Sequence, residues 1–92
     1  MSSVRVTPME PGAFGVEVEE GGVTTGHRFF VPAAFWDELG VVDVDDTEAV
    51  VAAAQFLLDR EPGVAIPDEV SFDELAARYD DFVTELRDRI GV

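Results

Sequence analysis

Between Ala49 and Leu58 the chain reads AVVAAAQFLL, and Gln55 is the one polar residue. A helix that is apolar nearly all round must have neighbours on most sides, so this segment is expected to be the spine of a core. Its limits are written in its flanks. Asp45, Asp46 and Thr47 offer N-cap oxygens and negative charge to the positive end of the helix. After Arg60 and Glu61, Pro62 disfavours helical geometry in the residue before it and Gly63 frees the chain to turn. The spacing predicts a helix over 46–61. Arg60, in its last turn, complements the negative end of the dipole and is expected to pair with an acid such as Asp73 or Glu74.

A spine needs something to pack on, and the first third of the chain supplies it. FGVEVEEGGVTTGHRFFV alternates apolar and polar residues on both sides of Gly21-Gly22, a two-residue link suited to a tight hairpin. With the turn at Gly21-Gly22, Phe14 opposes Phe29, Val16 opposes His27 and Val18 opposes Thr25 on one face. Glu17 opposes Gly26 and Gly15 opposes Arg28 on the other, where Arg28 can meet Glu17 diagonally. SVRVT reads as a third strand. Pro32 suits the first position of a short helix over 32–40 that Gly40 ends, with Phe35, Trp36 and Leu39 available to the core. A last helix, over 71–90, begins at a Ser71-x-x-Glu74 capping box and carries Phe72, Leu75, Ala76, Tyr79, Phe82 or Val83, Leu86 and Ile90 at a 3.6-residue period.

The expected fold class is therefore α+β: an antiparallel β-hairpin or three-stranded sheet in residues 1–31, packed on three helices, as a single domain over 1–92. A chain of 92 residues buries roughly 60 to 65% of its unfolded surface, enough to fold without a metal or a disulfide. No apolar run approaches the ~20 residues of a membrane span, and the start lacks the apolar core of a signal peptide, so a cytoplasmic address is expected.

Charge narrows the function. Twenty acids stand against six arginines, with no lysine, for a net charge of -14. Such a chain repels phosphate backbones and anionic membranes, and its self-repulsion favours a salt-rich solvent. The acid excess without lysine resembles proteins of extremely halophilic archaea, while the Ala, Val, Gly and Arg usage also suits a GC-rich actinobacterium.

Each candidate for chemistry has a plainer explanation beside it. Asp43, Asp45 and Thr47 in VVDVDDT resemble the D-x-D-x-T motif of haloacid-dehalogenase-like phosphatases, but that resemblance implies a large parallel sheet and a phosphate-holding Lys, and here the motif precedes a helix in a short, lysine-free chain. A calcium loop counted from Asp43 has Glu48 where Gly is needed and Ala54 where Glu is needed. Without cysteine there is no thiolate, and one histidine leaves no metal set. His27, on the apolar hairpin face, reads as a structural histidine, because nothing nearby in sequence supplies a nucleophile or substrate site. Trp36 and Tyr79 read as core aromatics that could line a pocket.

The order strand, short helix, helix in residues 27–60 resembles ribbon-helix-helix regulators, many of them antitoxins. Their strands present basic or amide side chains to bases, whereas this strand offers Arg28 alone among Thr24, Gly26 and Phe30. A second resemblance rests on FLLDREP, Phe56 to Pro62, followed by Tyr79 and Phe82. It is similar to a family of small uncharacterised prokaryotic proteins in which a hairpin leads to a helix ending in F-L-L-x-R-E-P and then to a C-terminal helical segment. The chain departs from that pattern in GVAIPDEVS after Pro62 and in lacking a proline near Tyr79. This resemblance implies no activity, cofactor or functional residue.

By elimination, a small acidic non-enzymatic interaction or regulatory protein is expected, without cofactor, nucleic-acid or membrane binding. Its partner would be another protein with a basic surface, or a second copy meeting it at a sheet edge near Arg28. The alternatives are a ribbon-helix-helix-like regulator and a small-molecule-binding domain. His27, Arg28, Trp36, Arg60 and Tyr79 are the candidate contact residues.

Overall fold

In a computed structural model of the chain, residues 2–91 are described. Three strands, β1 (Ser2–Glu10), β2 (Ala13–Glu20) and β3 (Val23–Phe30), form an antiparallel meander. Helices α1 (Phe35–Leu39) and α2 (Asp46–Leu58) follow, then a 3₁₀ turn (Gly63–Ala65) and a short strand β4 (Glu69–Ser71) that pairs parallel to β3. Helices α3 (Phe72–Arg78) and α4 (Phe82–Ile90) close the chain. The sheet order is β1-β2-β3-β4, so the fold is α+β, with one more strand and one more helix than the sequence suggested.

The hairpin has the expected register: Phe14 faces Phe29, Val16 faces His27, and Val18 faces Thr25. Gly21 and Gly22 both have positive φ, 60° and 84°, the geometry of a turn whose twist matches the strands it joins. Because side chains alternate across a strand, Phe14, Val16, Val18 and Phe29 enter one continuous core. α2 lies on this face against β1 and β2. Its Ala49, Val50, Ala52, Ala53, Ala54, Phe56 and Leu57 are all buried, while Gln55 is exposed. Small alanines let the helix sit close, and Phe56 reaches into a cluster of edge-to-face rings with Phe82 and Tyr79.

Helix boundaries depart from expectation in three places. α1 begins at Phe35 instead of Pro32, because residues 32–34 make a turn closed by Phe35 N–H on the Pro32 carbonyl and no side chain caps the helix. α2 stops at Leu58; Asp59 and Arg60 form a turn, with Arg60 and Glu61 N–H both on the Leu57 carbonyl.

The expected single helix over 71–90 is broken at Tyr79, whose backbone is extended (φ -118°, ψ 114°). Breaking it lets Phe72, Phe82 and Leu86 all reach the same core. The capping box does not form either: Ser71 Oγ binds the Asp73 carboxylate, which accepts the Glu74 N–H at 3.0 Å.

Candidate functional site

The two hairpin candidates lie side by side on β3 and, by strand alternation, point to opposite faces of the sheet. His27 is 8% exposed. Its Nδ1 is 2.9 Å from the Pro67 carbonyl, which can only accept, so Nδ1 carries a proton and donates. Its Nε2 is 2.8 Å from Thr25 Oγ1, a hydroxyl able to donate or accept, so the ring is satisfied in either protonation state. This Thr25, His27, Pro67 chain has the order of nucleophile, base and orienting acceptor, a neighbour the sequence did not reveal. The depression beside Thr25 measures only about 70 Å³, against the 300 Å³ or more typical of ligand pockets; a wider one of about 420 Å³, bordered by His27, Arg28, Met9, Gly15, Gly26, Asp68 and Glu69, does not include Thr25. His27 thus pins β3 to the loop before β4.

Arg28 is on the open face, 3.8 Å from Glu69 of β4. The diagonal contact with Glu17 does not form, because Glu17 pairs with Arg5 across β1 and β2 at 3.8 Å.

Arg60 and Tyr79 are brought together. The Arg60 guanidinium lies 3.7 Å from the centroid of Phe56 and 5.8 Å from that of Tyr79. It donates to the Phe56 carbonyl at 3.2 Å, capping the end of α2, and it pairs with Asp81 at the start of α4. Asp81, not Asp73 or Glu74, is its partner, because the break at Tyr79 swings the start of α4 towards the end of α2.

Trp36 is at the other end of the aromatic cluster, linked to Tyr79 by way of Phe35 or Phe72, then Phe82 and Phe56. Its Nε1 donates to Asp46 at 2.8 Å. The depression of about 320 Å³ beside it is lined by Pro11, Gly12, Val31, Pro32, Ala33 and Asp46, and Tyr79 is not part of it.

Two surfaces are more open than His27, Trp36 and Tyr79; the sequence pointed to a sheet edge near Arg28 but did not place the free edge at β1 or single out the second surface. The first is the sheet face opposite the helices. Ser3, Arg5, Glu17, Glu19, Thr24 and Arg28 are exposed there, and Gly15 and Gly26 leave its centre low. It ends at the free edge of β1. A two-residue turn closes on a hydrogen-bonded pair, Glu20 with Val23, so Thr25, His27 and Phe29 bond towards β2, and Arg28 N–H instead meets Asp68 at 2.7 Å. The same alternation turns Ser3, Arg5 and Thr7 towards β2 and turns Val4, Val6 and Pro8 outward. From Ser2 to Met9 there is no acid. That run was the signal in the sequence.

The second is the segment 37–59, which carries Asp37, Glu38, Asp43, Asp45, Asp46, Glu48 and Asp59 and no cation. At its apex Val42 is 76% exposed, and Asp43 holds a left-handed backbone with φ 59°.

Among the described residues no group of three or more His, Asp and Glu is placed to hold a metal ion, and no helix is long and apolar enough to cross a membrane. Comparison with models of protein families, with curated proteins and with solved structures gave no match.

Proposed function

We propose that this chain is a small acidic, non-enzymatic interaction or regulatory protein of a salt-rich cytoplasm, and that it binds another protein with a basic surface. The observation that carries this reading is the acidic stretch 37–48, where Asp37, Glu38, Asp43, Asp45, Asp46 and Glu48 flank the exposed Val42 in sequence with no cation among them. Complementary charge steers encounter and sets specificity, and an exposed apolar side chain within the charged rim supplies an anchor.

A ribbon-helix-helix regulator draws less support. Its strand must be free to enter the major groove, whereas β3 is flanked by β2 and, over Arg28 to Phe30, by β4. The small-molecule alternative loses the shared pocket it required, since Trp36 and Tyr79 stand apart. The likeness of Phe56 to Pro62 to an uncharacterised prokaryotic family adds no activity.

The test is capture from native lysate over a range of KCl concentrations, comparing the natural chain with the triple variant Asp37→Asn, Asp43→Asn, Glu48→Gln. These changes spare the N-cap Asp45, whose carboxylate accepts the Thr47 N–H at 2.9 Å. The expected outcome is a basic protein retained by the natural chain, released as salt rises and lost from the variant. Equal retention by both chains would overturn the proposal, as would no retention by either.

A further inference from the structure

We infer that β1 is a self-association edge, pairing antiparallel with β1 of a second copy about a two-fold axis at Val4 to make one eight-stranded sheet. This does not depend on the acidic segment above, which lies elsewhere on the chain.

Among the described residues, no strand pairs with the outward N–H and C=O groups of Val4 and Val6. Natural proteins usually guard such an edge with charge. In a chain with twenty acids, β1 instead carries none from Ser2 to Met9, where the one charged residue is Arg5, and its single acid is Glu10 at the far end. Two copies at -14 each repel, so they can meet only where negative charge is thinnest.

Chemistry then selects the register. Outward-facing residues must oppose outward-facing residues, which places the axis on a residue rather than between two. An axis at Arg5 sets Arg5 against Arg5. An axis at Val6 sets Val4 against Pro8, which has no N–H to give. An axis at Val4 avoids both, setting Val4 against Val4 and Val6 against Ser2. It sets Arg5 against Ser3 of the second copy, and because Ser3 adjoins Glu19, the row across the open face reads Glu17, Arg5, Ser3, Glu19. The second copy's Glu19 lies two strand spacings from Arg5, roughly 10 Å, within the span of an arginine and a glutamate side chain. On the helix-bearing face the half-buried Val4 meets its own copy, which extends the apolar row from Val18.

The absence of cysteine makes single-cysteine cross-linking a direct test of this register. An axis at Val4 brings the two Val4 Cα atoms to about 5.5 Å, inside the disulfide range of about 4.4 to 6.8 Å. Val4→Cys is expected to cross-link under mild oxidation and Val6→Cys is not, with far-ultraviolet circular dichroism confirming that both variants are folded when reduced. Light scattering of the natural chain is expected to give twice the chain mass in molar KCl and a smaller average at low salt, the reverse of the salt response expected for a basic partner. Arg5→Glu should abolish the dimer, and Arg5→Glu with Glu19→Arg should restore it. A monomer in molar KCl with no Val4→Cys cross-link would overturn the inference. So would cross-linking through Val6→Cys alone, or a dimer indifferent to Arg5→Glu.

Discussion

Asp43 and His27 show how much a single side chain can decide in so small a domain. Asp43 holds φ at 59°, a region that Asp tolerates and β-branched residues do not. Asp43→Val is therefore expected to cost about 1 to 2 kcal/mol, while Asp43→Gly should be near neutral. Urea unfolding of the two variants checks this, and equal stability would show that the turn relaxes away from positive φ. His27 joins the middle of the chain to its far side through Pro67. His27→Ala should destabilise by about 1 to 2 kcal/mol, because two hydrogen bonds are lost but Pro67 is an exposed residue whose carbonyl water can then reach. A cost near zero would mean that the pin carries no load. The structural part of His27 was visible in sequence from its place on the apolar hairpin face. Its partner was not, since forty residues separate it from Pro67 and no local pattern marks a lone carbonyl.

At the level of elements, what could be read locally was read well. Alternation about Gly21-Gly22 gave the whole register of β2 and β3, because a two-residue turn leaves only one way to pair the strands. The unbroken apolar run gave α2. β4 went unseen because three residues carry no period, and tertiary contacts place it: Arg28 N–H on Asp68 and the Val70 side chain beside Phe29. The break at Tyr79 was hidden for the opposite reason. The helical period continues through it in sequence, and only the assembled core, which Phe72, Phe82 and Leu86 all enter, shows the turn. If α2 is the spine, Leu57→Ala should cost about 2 to 5 kcal/mol by chemical denaturation, the range for a truncation in a packed interior. A cost below 1 kcal/mol would place Leu57, 2% exposed, in a site that collapses without a cavity.

For the molecule as a whole, charge is the dominant variable. Four of the twenty acids precede Pro32 and sixteen follow it, so self-repulsion is concentrated on the helix-bearing part and is relieved by counter-ions. Melting temperature is expected to rise from low to molar KCl; a flat or falling curve would contradict a halophilic adaptation. The candidate surfaces were legible as composition but not as places. Acid-rich and acid-free runs are plain in the chain, yet that β1 is an edge and that Val42 stands clear follow only from the assembled sheet. The packing of α2 on β1 also bears on how the molecule forms in time. Three strands joined by two tight turns can pair quickly, but their apolar face stays wet until a helix some forty residues later arrives to cover β1. Folding should then be paced by that arrival. Leu57→Ala is expected to slow folding, while Leu86→Ala, in the helix last in chain order, should mainly speed unfolding. Chevron plots of the two variants would separate these effects, and a purely unfolding-rate change for Leu57→Ala would mean that α2 settles after the rate-limiting step.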